Sequence, residues 1–157
     1  MRAKDLIEKL KSDSKYQEIW GRKEQEFAER RAVLAADEHD LIKELKEAGY
    51  EVESVWDFVN NNNQYEFLRC YEGSYKGAYS ILVKHLTIPH HPTIREGIIR
   101  ALTVRNANEV ASKALLNEFY REQDSNLKWV LANALHTVLT RREKAKYPEY
   151  KKIYDAH

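Results

Sequence analysis

Residues 91–102, HPTIREGIIRAL, return as DSNLKWVLANAL at 124–135, an offset of 33. The match pairs Ile94 with Leu127, Arg95 with Lys128, Ile98 with Leu131, Ala101 with Ala134 and Leu102 with Leu135. The preceding segment keeps the same offset: Ala78, Ile81, Leu82, Val83 and Leu86 fall on Ala111, Ala114, Leu115, Leu116 and Phe119. Two segments sharing one offset constrain the fold more tightly than any single motif. Their apolar positions recur at helical spacing, so each unit predicts a helix of about a dozen residues, a short connector and a second helix. One such hairpin cannot bury its own apolar face. A fixed period between about 20 and 50 residues therefore predicts a stack in which near-copies cover one another.

The rest of the chain is compatible with helices. Its 157 residues suffice for one domain with a real core. Five Gly and three Pro leave long stretches without breakers, which starves a turn-rich β fold. Residues 3–11 predict a short amphipathic helix with Leu6, Ile7 and Leu10 on one face, and SDS at 12–14 offers capping residues. From Lys15 to about Ala48 the only weak helix former is Gly21, and Trp20, Phe27, Leu34 and Leu41 stand seven apart. That stripe is expected to pack on the rest of the same domain, with a break near Ala36-Asp37. A coiled-coil contact with a second chain, hence self-association through the N-terminal helix, needs only the same repeat. Gly49 is expected to end this segment in the left-handed conformation. Ser54 is expected to cap a short helix, VWDFVNN, with NNNNQ at 60–64 as a loop and residues 65–74 pinned to the core by their aromatics.

The pattern His/Asp-x-x-Ile/Leu-Arg/Lys, with Pro after the His in the first copy, followed by apolar positions and Ala-Leu, resembles the second helix of HEAT repeats. It is especially similar to the short HEAT-like, phycobilisome-lyase-type form of many bacterial proteins. The resemblance is clear over Ser74–Leu139 and weaker over Asp37–Asn63. It implies an all-α fold, a right-handed α-solenoid of HEAT-like helical hairpins preceded by a long N-terminal helical segment. The expected organisation is a single helical domain over 1–157. Within it lie N-terminal helices at 1–48, a degenerate repeat and connector at 49–73, two repeats at 74–140 and a C-terminal capping segment at 141–157. The resemblance also implies that Arg95 and Lys128 pair with an acid near the inter-helix turn, with Asp124 the natural partner for one of them.

Chemistry-bearing constellations are few. Pro89-His90-His91-Pro92 invites a metal reading, but adjacent His side chains diverge and no further ligand lies at a metal spacing, so no metal or cofactor is expected. In the repeat register His91 matches Asp124, which makes it a capping position. Asp37-Glu38-His39-Asp40 lacks a second His at helical spacing, so its acids are expected to open a helical segment. Cys70, the single cysteine, cannot form an internal disulfide and is expected to be half-buried and inert. No Gly-rich phosphate loop, nucleophile elbow or Cys-x-x-Cys pair occurs, and the expectation is a protein that is not an enzyme. The first residues contain no apolar run of signal-peptide length, and no stretch reaches membrane-spanning length, which predicts a cytoplasmic protein without a membrane role.

What remains is surface. In a HEAT-like stack the second helices line the concave side, where the positions outside the core stripe are Glu96, Ile99, Arg100 and Thr103, then Trp129, Ala132, Asn133 and His136. A Trp beside Asn and His, with Arg100 and Glu96 one repeat away, predicts a partner-binding patch, unless the segment KYPEYKKIY covers Trp129. A second candidate is the acidic, aromatic segment around Trp56, Asp57, Glu66, Tyr71 and Glu72, with Trp56 and Phe58 as core aromatics the competing reading. Charge is uneven along the chain: residues 51–73 carry one base against five acids, and 74–157 carry 14 bases against 8 acids. The basic half suits an acidic partner. The expectation is a non-enzymatic protein-binding module, by resemblance an immunity or antidote protein that sequesters a bacterial toxin. Alternatives are a nucleic-acid-binding, glycosylase-like protein and a scaffold or adaptor. Near-neutral overall charge and a single Arg on the predicted face count against nucleic acid.

Overall fold

The computed structural model describes residues 2–60 and 70–156, and all regular structure among them is helical. The chain divides into two compact units, Met1–Ala36 and Asp37–His157. The first unit holds α1 (Ala3–Lys11) and all but the last residue of α2 (Ser14–Asp37). Asp13 caps the turn between them, its carboxylate accepting the Lys15 N–H at 2.9 Å. Neither helix buries a side chain.

The seven-residue stripe is not one packed seam. Trp20 and Phe27 are 47% and 58% exposed, whereas Leu41 is fully buried. The helix ends at Asp37 and α3 (His39–Glu47) begins after a turn at Glu38, so the two ends of the stripe no longer share a helical face. Leu41, Ile42 and Leu45 of α3 enter the core of the second unit, which moves that helix out of the N-terminal group expected at 1–48. Gly49 ends α3 at φ 97°, with the Tyr50 N–H on the Leu45 carbonyl and the Gly49 N–H on the Lys46 carbonyl. These are the two bonds of a Schellman cap.

Helix α4 (Trp56–Val59) is a single turn, shorter than its sequence suggested. Asn61 to Asn63, Gln64 and residues 65–69, including Glu66, lie outside the described residues. Cys70 is exposed rather than half-buried, because the neighbouring Tyr71, not Cys70, turns onto the rings of Phe58 and Tyr75. Phe58 stacks on Tyr75 at 4.4 Å, and the Tyr75 hydroxyl donates to the Ala101 carbonyl at 2.8 Å. Burial pushes the Tyr75 phenol up to about 12.

The repeat folds as two hairpins, α5 (Tyr79–Leu86) with α6 (Pro92–Ala101), then α7 (Asn108–Arg121) with α8 (Ser125–Val138). Burial follows the offset of 33 closely. Ala78 and Ala111, Leu82 and Leu115, Leu86 and Phe119, Ile94 and Leu127, Ile98 and Leu131, Ala101 and Ala134, and Leu102 and Leu135 are all core. Helix α7 overruns its counterpart at both ends. The chain closes with α9 (Arg141–Lys146) and α10 (Glu149–Asp155). The helices of the second unit pack in two rows: α3 on α5 and α5 on α7, then α4 on α6, α6 on α8 and α8 on α10. The α3/α4 segment thus stands where a first hairpin would, with its second helix cut to one turn. Gly97 lets α4 approach α6, since a Cβ there would lie 2.7 Å from Val55 Cγ1 and 2.9 Å from Trp56 Nε1. No described helix is long and apolar enough to cross a membrane.

Candidate functional site

The face predicted to bind a partner is largely engaged within the chain. Ile99 and Ala132, read as surface positions, are fully buried, because neighbouring helices of the same row cover both sides of α6 and α8. His136 stacks on Tyr154 of α10 with ring centroids 4.0 Å apart and an interplanar angle of 13°. Burial first, and the Lys144 cation second, hold His136 below the usual imidazole range, and its Nδ1 meets no hydrogen-bond partner among the described residues. Trp129 and Asn133, on the same helix, are half-buried. Arg100 donates to Glu96 at 2.8 Å one turn away, an i,i+4 ion pair of modest worth. Helix α10 of the C-terminal segment packs on α8.

The acidic, aromatic candidate resolves into fold contacts as well. The Trp56 indole N–H donates to the Thr93 carbonyl at 3.2 Å. Asp57 is buried, its Oδ2 accepting the Glu53 N–H at 2.8 Å at the start of α4. Glu38, which the sequence marked only as one acid among three, is the buried carboxylate that ties the turn before α3 to α4. Its Oε2 accepts the Val55 N–H at 3.0 Å and the Ser54 hydroxyl at 3.2 Å. Burial nonetheless raises the Glu38 carboxyl above its ordinary range.

His91 and Asp124 both cap second helices, His91 Nδ1 accepting the Thr93 N–H at 3.1 Å and Asp124 the Leu127 N–H at 2.9 Å. Asp124 is thereby used at the helix start and does not pair with a repeat cation. Arg95 instead reaches Glu118 at 2.8 Å, Glu122 at 3.1 Å and the Leu86 carbonyl at 2.8 Å, joining three helices. Lys128, its counterpart, lies 4.9 Å over the Phe119 ring. His90 belongs to a line of hydrogen bonds from Glu44 through His85 and His90 to Asp37, at 3.2, 3.0 and 2.8 Å. The line joins the turn region at Asp37, α3, α5 and the α5–α6 connector. Among the described residues no group of three or more His, Cys, Asp or Glu side chains could hold a metal ion.

An open groove of about 640 Å³ lies at one end of the two rows, bounded by Lys76, the Arg105–Ala107 turn, the start of α7, the end of α8 and α9. Its floor is fixed. Asn108 donates to the Val138 carbonyl at 2.9 Å and to Glu143 at 2.8 Å. Thr140 and Glu143 exchange bonds as a capping box at the start of α9. The Thr140 backbone N–H, above all, holds the Glu143 carboxyl below its ordinary range, so that acid is ionised but turned inward. Lys76, Arg105 and Lys144 line the groove and carry no ion pair among the described residues, with Glu109 the acid at its edge and Val110 a 43% exposed apolar side chain beside them. Sequence reasoning found only the excess of bases after Ser74. Which of them stay unpaired depends on how Glu96, Glu118, Glu122 and Glu143 are used in three dimensions.

Comparisons with protein-family models, with curated proteins and with solved structures found no match.

Proposed function

We propose that this chain is a non-enzymatic protein-binding module of the cytosol, a right-handed α-solenoid of HEAT-like hairpins. In its particular form it is an immunity or antidote protein that sequesters a toxin. The observation that carries the binding reading is in the first unit: α1 and α2 bury no side chain, while Leu6, Ile7, Ile19, Trp20, Phe27 and Val33 stand exposed. Large apolar side chains left exposed on helices that bury none are available for a partner to cover, and Trp is a residue type that dominates binding hot spots. The second unit supports the reading differently. Its helices are pinned by buried side chains and by bonds such as those of Arg95, so it can present a surface with little ordering cost. The toxin as partner rests on the resemblance to short HEAT-like repeats over Ser74–Leu139.

The test is recovery of the tagged full chain from its native cytosol beside a Trp20→Glu/Phe27→Glu variant. We expect one protein in stoichiometric amount, lost in the variant, and its activity decides the toxin form. Recovery of nucleic acid alone, released by moderate salt, would reverse the reading. That second reading is favoured by one observation: besides the three groove cations, Arg141, Arg142 and Lys146 of α9 also carry no ion pair among the described residues.

A further inference from the structure

We propose that the groove between the Arg105–Ala107 turn, α7, α8 and α9 is a binding site for an acidic, partly apolar peptide segment of the protein partner. This deepens the protein-binding reading and rests on it. Three cations converge on the groove. Lys76 and Arg105 are exposed, Lys144 is half-buried, and among the described residues no ion pair engages any of them. Of the acids of the C-terminal half, Glu118 and Glu122 are committed to Arg95, Glu96 to Arg100 and Glu149 to the Tyr120 hydroxyl. Within the groove, Glu109 at the lining and Glu143, bonded to Asn108 and Thr140 at the floor, oppose the three cations. The resulting field is positive and sits on a floor that hydrogen bonds already hold, which is the arrangement that receives a carboxylate without reorganisation.

Val110 decides the class of guest. A small inorganic anion would gain nothing from an apolar side chain left 43% exposed beside the cations, whereas a peptide carrying an apolar residue next to Asp or Glu covers both. A volume of about 640 Å³ admits a few side chains and their backbone, and is large for one anion. Single-stranded nucleic acid would need rings on which bases stack. Among the described residues the only ring lining the groove is His136, and that ring is already stacked on Tyr154. Asn106 and Thr137, also at the lining, supply hydrogen-bonding groups suited to a peptide backbone.

The experiment uses the full chain and three fluorescent probes followed by anisotropy: a short peptide alternating Glu and Leu, its counterpart alternating Gln and Leu, and a single-stranded oligonucleotide. Wild type is compared with Arg105→Glu/Lys144→Glu. A control of equal charge change, Lys113→Glu/Lys152→Glu, alters exposed cations outside the groove. Thermal melts establish that each variant is folded. We expect the Glu/Leu peptide to bind wild type and control alike, to weaken with salt, and to lose about tenfold or more in affinity in the groove variant. The Gln/Leu peptide and the oligonucleotide should bind more weakly than the Glu/Leu peptide. Absence of peptide binding, equal loss in the control, equal binding of the Gln/Leu peptide, or tighter binding of the oligonucleotide would each overturn the proposal. The partner captured from cytosol separates the two levels. A partner retained by wild type with no groove dependence removes only the groove, whereas no protein partner at all removes the reading beneath it.

Discussion

Arg95 and Lys128 occupy the same repeat position, and their surroundings give them different weights. The Arg95 guanidinium is 17% exposed and faces Glu118, whose side chain is 9% exposed, together with Glu122. Arg95→Met removes the cation and leaves two carboxylates facing each other in a partly dry site. We expect a loss of about 3 kcal/mol in denaturant unfolding. Lys128→Met gives up one cation–ring contact and should cost about 0.5 kcal/mol. Equal costs at the two sites would contradict the assignment of Arg95 as the bridge between helices. Glu38 makes a pH-dependent case. Its native pKa is raised from 4.5 by burial, so whatever stability it contributes is fully present below the unfolded value and is lost as pH rises through the native one. Glu38→Gln keeps an oxygen for the Val55 and Ser54 donors but cannot ionise. The variant's melting temperature relative to wild type should therefore climb as pH is raised from about 4 toward neutrality. A difference that is flat or falls with pH would show that burial does not penalise this carboxylate.

At the level of helices, the repeat and its edges were unequally legible. The 33-residue offset located α5 to α8 and the core pairs Ile94/Leu127, Ile98/Leu131, Ala101/Ala134 and Leu102/Leu135, because near-copies that cover one another repeat their apolar face, but the buried pair Ile99/Ala132 was read as surface. The capping roles of His91 and Gly49 were also readable, since each is set by local backbone chemistry. The ends of the row from α4 to α10 were less legible. Helices α4 and α10 close it without repeating anything, so no offset marks them, and the sequence left open whether the C-terminal segment covers the Trp129–His136 stripe, part of which α10 meets. Gly97 shows the same limit: its meaning depends on Val55 and Trp56, about forty residues earlier in a segment that barely resembles a repeat. Gly97→Ala gains about 1 kcal/mol of helix propensity but sets a Cβ against Val55 and the Trp56 ring, which costs about 1–3 kcal/mol, so a net loss of stability is expected. Gly21→Ala in α2 meets nothing within 4 Å and should slow amide exchange along α2. A stabilising Gly97→Ala would mean that α4 is not held tightly on α6.

For the whole molecule, the division at Ala36/Asp37 separates a unit with a core from one without. The described core residues run from Glu38 to Tyr150, and the buried line from Glu44 to Asp37 stays on the C-terminal side of the division. Removing residues 1–36 should leave a cooperative thermal transition shifted by no more than about 4 °C. Loss of the transition would show that α1 and α2 complete the fold instead of awaiting a partner. Composition could not show this, since the seven-residue stripe that leads into the core at Leu41 is the one left bare at Trp20 and Phe27. The most direct test of the account is amide hydrogen exchange on the full chain, free and in the complex recovered from its native cytosol. The account predicts fast exchange over α1 and α2 in the free protein and strong new protection there when the partner is bound. It is contradicted if those helices are already protected in the free chain, or if the partner protects only α6 and α8 and leaves α1 and α2 unchanged.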